Sequence, residues 1–160
     1  MGNGLPLSDF VTATFIGLAI GAITDAASLK QDLMDARKLQ VRSIVESATQ
    51  TAAALHARAQ AGGLSDEEAR VRAAQAIQDM RYGGRDGKSE YLYIYDANGT
   101  TVMHPIRTEW NGRNVVDQVR DGKGRYTLKD ILAIASASGA GFVDTSFPRP
   151  GTTEPVDKLQ

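Results

Sequence analysis

Between Ala27 and Ala61 the chain contains neither Gly nor Pro, a helix-compatible run too long for a small domain to enclose. At 1.5 Å per residue such a helix would extend about 50 Å, more than the width of the globule this chain can build. Leu33, Val41, Ile44, Val45, Ala48, Ala52 and Leu55 recur along it at helical spacings and form an apolar stripe. A helix that outgrows its domain has a second use, either pairing with a partner or reaching a membrane. We therefore expect two chains to pair along this stripe as a homodimer. Gly62-Gly63 ends the run.

The segment before it is apolar. Phe10 to Thr24 carries no charge, and Leu5 and Leu7 extend that character backward. Three readings compete for residues 1–26: a membrane-spanning segment, a signal peptide with Thr24 and Ala26 before a cut, or a buried core helix. No basic residue precedes the run, whereas Lys30, Arg37 and Lys38 follow it, which reverses the usual orientation bias. The long helix that follows favours the membrane reading.

Beyond the long helix, Ser65 and Glu68 spell a capping box that opens a second helix to about Met80, with Ala69, Ala73, Ile77 and Met80 on one face. After Gly83-Gly84 the period changes to two. Tyr91, Tyr93 and Tyr95 alternate with Leu92 and Ile94 as a strand, Asp96-Ala97-Asn98-Gly99 is a hairpin turn, and Thr100 to His104 returns. Arg107 to Gly124 reads as a loop. Thr127 is placed as the cap of a third helix to about Ser138, followed by strands at Phe142–Phe147 and Val156–Gln160. This order predicts an α+β fold, a PAS-like antiparallel sheet over residues 64–160 behind a long N-terminal helix.

Composition narrows the function. A formal net charge of −1 without a basic cluster excludes a nucleic-acid binder, which needs cations to displace counterions from phosphate. With no cysteine and only His56 and His104, thiolate metal sites and cysteine nucleophiles are excluded. No Ser/His/Asp spacing or phosphate loop is present, so we expect no enzyme, no catalytic residues, no metal and no cofactor.

Several segments together carry a resemblance. Met80-Arg81-Tyr82, Tyr91-Leu92-Tyr93-Ile94 with Asp96 and Gly99, and Val102-Met103-His104-Pro105 resemble the single Cache type 2 sensor family. So do Gly112 and Asp121, Gly141-Phe142-Val143, Pro148-Arg149-Pro150-Gly151 and Lys158-Leu159, over roughly residues 30–160. The resemblance implies a single Cache domain over residues 27–160, outside the inner membrane, feeding a chemotaxis transducer or a histidine kinase. It implies small carboxylates as ligands, such as acetate, propionate, pyruvate or lactate. The family usually has Tyr and Trp where this chain has Thr145 and Phe147, so the far wall of the pocket is expected to be smaller and less polar. The family also continues past the Lys158-Leu159 segment into further strands, so we read the chain as truncated, with an unpaired edge. The rival readings are a secreted, stand-alone binding protein of the same type and a purely structural dimer module.

A carboxylate leaving water needs charge-assisted hydrogen bonds from Arg, supported by Tyr or His. The candidate ligand contacts are Arg81, Tyr82, Tyr91, Tyr93, His104, Phe147 and Lys158. Each has a structural alternative: Arg81 as a cation at the second helix's C-terminus, the tyrosines as sheet packing, Lys158 as a solvated side chain. For Tyr95 packing or exposure is favoured, and His56 is read as structural. His104 depends on register. A two-residue Asn98-Gly99 turn sets it across from Tyr93, whereas a three-residue turn bulged at Gly99 sets it with Leu92 and Ile94. Pyruvate has six heavy atoms, for which about 9 kcal/mol is the ceiling. Micromolar affinity requires about 8, so near-complete enclosure is needed and a truncated domain is expected to bind weakly.

Overall fold

The structure, a computed structural model, describes residues 7–160, with side chains from residue 26 onward. The described residues up to Gln40 and residues 41–160 form two compact units. The first is helical from Leu7, within helix α1 (Leu7–Gln60). The segment Phe10–Thr24, read above as a membrane or signal segment, lies outside the residues whose side chains are described. No helix among the described residues is long and apolar enough to cross a membrane.

The second unit contains the rest of the fold. Helix α2 (Asp66–Gln78) starts where the capping box places it: the Ser65 hydroxyl accepts the Glu68 N–H at 3.1 Å, and the Glu68 carboxylate accepts the Ser65 N–H at 3.0 Å. Hydrogen bonding to Ser65 holds the Glu68 carboxyl below its usual pKa. The helix ends two residues before the expected Met80. Arg81 therefore lies not at a helix terminus but in a short strand, β1 (Arg81–Tyr82), that sequence periodicity missed. The run Tyr91–Tyr95 is likewise not one strand. Strand β2 (Glu90–Tyr91) pairs antiparallel with β1, while β3 (Ile94–Tyr95) pairs with β4 (Thr101–Met103). A strand of two residues has no period to read, and here the partner decides.

Both hairpin registers proposed above occur in turn. At the tip the turn is bulged: Asp96 N–H bonds to Thr100 O, Gly99 adopts φ +83°, and Tyr95 faces Thr101. One extra residue on β4, the exposed Val102, then shifts the register so that Ile94 faces Met103. That shift carries His104 to Tyr93. Gly99 is required by space as well as by φ, since a Cβ there would lie 2.8 Å from Val116 Cβ.

Helix α3 (Thr127–Ser138) begins one residue earlier than expected. Tyr126 is its cap residue, without a side-chain cap bond, and Thr127 is the first helical residue, buried at 2% exposure rather than capping. Strands β5 (Asp144–Pro148) and β6 (Pro155–Leu159) pair over their full length, extended by mutual bonds of Val143 and Gln160.

The core joins Ala48 of α1, Ile77 of α2 and Met103 of β4, with Ala52, Ala74, Met80, Leu92 and Ile94 packed against them. Ala48 and Ala52 were assigned above to a dimer stripe. They instead face the chain's own core, while Leu33 and Val45 stay exposed. Met103, 2% exposed, is the keystone between helices and hairpin. Met103→Ala is expected to lower unfolding stability by about 2–4 kcal/mol in denaturant titrations, the usual range for a buried Met truncation. A loss below 0.5 kcal/mol would place the core elsewhere.

Candidate functional site

The strands form three separate antiparallel pairs, β1–β2, β3–β4 and β5–β6, not one continuous sheet, and the aromatic side chains of the first two pairs gather beside the loop between β4 and α3. A cleft of about 790 Å³ opens there. Tyr91, Tyr93, Tyr95 and His104 form its sheet wall, and Trp110 joins them from the short 3-10 turn Thr108–Trp110. His104 lies nearly parallel to Tyr93, centroids 5.7 Å apart and planes at 8°. Tyr91 and Trp110 stand against it at 5.3 Å each. The ring is wedged on three sides by aromatic carbon.

Its hydrogen bonds fix its chemistry. His104 Nδ1 accepts the backbone N–H of Ile106 at 3.2 Å and of Arg107 at 3.0 Å, because Pro105 turns the chain back over the ring. A nitrogen that accepts two N–H groups carries no proton, so the proton resides on Nε2. Burial, reinforced by the Arg107 charge, pushes the His104 pKa down to about 4. At neutral pH His104 is thus an uncharged imidazole whose remaining polar atom is the Nε2–H donor. The Asn111 side chain also accepts the His104 backbone N–H at 2.8 Å.

Burial also raises the tyrosine pKa values: Tyr91 upward, Tyr93 well above the ordinary phenol value, and Tyr95 to about 12. All three remain protonated across the physiological range. The Tyr93 hydroxyl donates to Gln160 Oε1 at 2.7 Å, tying the sheet wall to the end of β6.

Cations reach the cleft from its loops. Arg107, Arg120 and Arg149 line it. Arg107 is 3.8 Å from Glu109 and lies over the Trp110 ring at 5.6 Å. Arg120 donates to Gly124 O and to the Tyr126 hydroxyl, stacked 4.0 Å over that ring. The Arg149 carbonyl accepts the Thr152 N–H and hydroxyl at 3.0 Å each, while its guanidinium has no hydrogen bond or ion pair among the described residues, and the like charge of Lys158 is its electrostatic neighbour. Pro148 and Pro150 on either side restrict its backbone.

The single carboxylate of the lining is already occupied. Asp121, with a side chain at 0% exposure, accepts the Lys123 and Arg125 N–H groups on Oδ1 at 2.9 Å each. Its Oδ2 accepts Arg125 Nε at 3.1 Å and a terminal guanidinium nitrogen at 2.8 Å. Burial opposes its charge, yet these donors hold the carboxyl below its usual pKa. Among the described side chains the cleft therefore presents positive charge and neutral donors, with no unpaired carboxylate.

Of the seven candidate contacts, four line the cleft together: Tyr91, Tyr93, His104 and Phe147. Three do not. Arg81 donates to Glu90 O at 3.3 Å and to Lys88 O, clamping the Gly83–Gly87 loop, with its guanidinium 5.8 Å from the Tyr91 ring. Tyr82 is half-buried on β1 outside the lining, close enough to Tyr93 to contribute to its raised pKa. Lys158 donates to Pro148 O at 3.0 Å and lies 5.9 Å from the Tyr91 ring; loss of water lowers its pKa. Thr145, named with Phe147 as part of a far wall, is buried beneath the sheet with its hydroxyl unpartnered, outside the lining. His56 is exposed on α1. Tyr95, Trp110 and the three arginines were not assigned from sequence. The Pro-Arg-Pro spelling around Arg149 was the one local signal, since two prolines pin a cation where a ligand can use it.

The family described as Single Cache domain 2 matches residues 33–160. The chain belongs to the single Cache domain 2 family. As a single Cache domain it is similar to the methyl-accepting chemotaxis protein McpP of Pseudomonas putida, 31% identical over 127 residues. That alignment covers 79% of this chain and 22% of McpP. It is also similar to the sensor histidine kinase MctS of Rhizobium johnstonii, 25% identical over 155 residues, 97% of this chain and 31% of the kinase. The chain thus spans less than a third of the curated relatives it matches. Among solved structures, the periplasmic sensor domain of a chemotaxis protein superposes with TM-score 0.72 at 35% identity, covering 79% of this chain and 84% of that one. A Cache chemosensory domain described for carboxylic acid recognition gives TM-score 0.72 at 26% identity, covering 81% and 84%. Cache domains of this family are the sensor, ligand-binding parts of chemoreceptors and kinases, and the α+β fold expected from sequence is the one found.

Proposed function

We propose that this Cache domain is the extracytoplasmic part of a membrane signalling receptor and that its aromatic cleft binds a small organic anion. One observation carries the reading: His104, whose Nδ1 is taken by backbone N–H groups, and the uncommitted Arg149 guanidinium both line a cleft in which the one carboxylate side chain among the described residues, Asp121, is saturated by its own loop. A carboxylate entering there gains charge-assisted hydrogen bonds without meeting a repelling anion, whereas a cation finds no partner. The carboxylic acid recognition described for a structural neighbour supports the same ligand class.

The receptor role joins that site to α1. Two chains pair along the helix through exposed residues such as Leu33 and Val45, and residues 1–26 anchor them to the membrane. Ligand then shifts the helix arrangement by its difference in affinity for the two states.

Propionate and its uncharged analogue propionamide separate the anion reading from general stickiness. Propionate at a hundred times its dissociation constant is expected to stabilise the domain by about 2.7 kcal/mol, and propionamide by nothing measurable. Arg149→Ala is expected to weaken propionate about 10-fold or more, a charged hydrogen bond's share, without lowering the melting temperature. Equal stabilisation by acid and amide would end the anion reading.

A further inference from the structure

The cleft, open to solvent on one side, has room for more than the ligands that its charge alone would suggest. Six heavy atoms, each granted the ~30 Å³ that a water occupies in the liquid, fill roughly 180 Å³. That is less than a quarter of the 790 Å³ present. About half of the cleft wall is apolar and half polar, with Gln118, Thr127, Thr152 and Gln160 among its polar members. The apolar part is contiguous in the chain's fold: Val115 and Val119 come from the loop before α3, and Leu128 and Ile131 from the first turns of that helix. Val115 and Leu128 are buried at 2% and 4% exposure, so they form a fixed floor, and Phe147 of β5 continues it.

We infer that this site takes an anion with an apolar body, an aryl or branched-alkyl carboxylate, rather than a two- or three-carbon acid. The inference rests on the anion reading above and adds the half of the ligand that the charges do not address. The carboxylate meets the His104 Nε2–H and Arg149, and the hydrocarbon body lies over Leu128 and Ile131. An acid of about 11 heavy atoms, such as 3-phenylpropionate, fills about 330 Å³ by the same measure and leaves room for its solvated end. It also presents a ring to Tyr91, Tyr95 and Trp110, where aromatic pairs add to area burial.

The test is a calorimetric series on the full chain: propionate, butyrate, 4-methylpentanoate, 3-phenylpropionate and 3-phenylpropionamide. Affinity is expected to rise about fourfold for each buried methylene, the gain of moving one such group out of water. 3-Phenylpropionate is expected to bind about 60-fold more tightly than propionate, a gain equivalent to three such steps. Ile131→Asn is expected to flatten the series to under twofold per methylene, with its far-ultraviolet dichroism and melting curve confirming a folded protein. Propionate binding as tightly as 3-phenylpropionate overturns the inference and leaves the anion reading intact. The phenyl amide binding as tightly as the acid overturns both, as does a series in which no acid binds. A steep series unaltered by Ile131→Asn overturns the placement of the apolar body.

Discussion

Asp121→Ala is expected to lower the melting temperature by roughly 6–12 °C and to remove anion binding with it. The carboxylate terminates four N–H donors from Lys123 and Arg125 while fully enclosed, and Arg125 passes the connection on to Asp144 O at 2.8 Å. Gly122 adds a bond from its N–H to Ser146 O at 2.6 Å, with no room for a side chain, because a Cβ would meet Pro155 at 2.6 Å. This loop is thus fastened to β5 and β6 through a carboxylate that is itself invisible from the surface. Removing it strands several donors, one of them charged, and breaking such a buried cluster costs on the order of 3 kcal/mol. The neighbouring Arg120, which lines the cleft, loses its position together with the loop. Asp121→Asn restores acceptors on one side and sets an NH₂ against Arg125 on the other, so its loss is expected to be intermediate. Differential scanning calorimetry decides: an alanine variant within 2 °C of the parent would show that the loop is held by its backbone alone.

The second large effect is a dependence of stability on acid. His104 has a pKa of about 4 in the folded domain and about 6.5 when unfolded. Between those values the unfolded chain takes up a proton that the folded one refuses, so stability falls as pH falls. The contribution is complete above pH about 6.5 and lost on descending toward about 4. Its size is roughly 2 kcal/mol, discounted from the full shift because the ring borders an open cleft. Protonation would also displace the Ile106 and Arg107 N–H groups from Nδ1, releasing the turn that carries Trp110. His104→Asn keeps an acceptor near the Nδ1 position and removes the titration. Melting temperatures of this variant are expected to stay nearly level through that window while the parent's decline. Parallel decline in both proteins would assign the acid sensitivity to other groups.

Local chemistry was legible wherever a short-range rule decides. The Ser65–Glu68 box set the start of α2, and Asp96-Ala97-Asn98-Gly99 marked the turn though not its register, with Asp96 Oδ1 accepting the Asn98 and Thr100 N–H groups. The aromatic alternation put Tyr91 and Tyr93 on one face, and the structure lines the cleft with both together with His104, whose facing the sequence had left to the register. What the sequence withheld depends on distant partners. Arg81 looked like a helix-terminal cation or a ligand contact, but nine residues later Glu90 supplies the carbonyl that occupies it. The single extra residue at Val102 merges two registers that had seemed exclusive, and no propensity marks that position. The apolar stripe of α1 divides in the structure, with Leu33 and Val45 exposed, and its period does not say which apolar surface covers the rest. Ala48 and Ala52 are covered by Ile77 and Met103 of the same chain. The loop arginines escaped because a cation in a loop has no period, and only the folded chain reveals which three share one opening.

Nitrogen-15 spectra of the imidazoles at neutral pH, recorded with and without propionate, test the central claim most directly. His104 is expected to appear as the neutral Nε2–H tautomer, with that proton moving downfield on adding the acid and remaining still on adding the amide. An imidazolium, a proton on Nδ1, or an Nε2–H signal unmoved by saturating acid would contradict the anion site built around it.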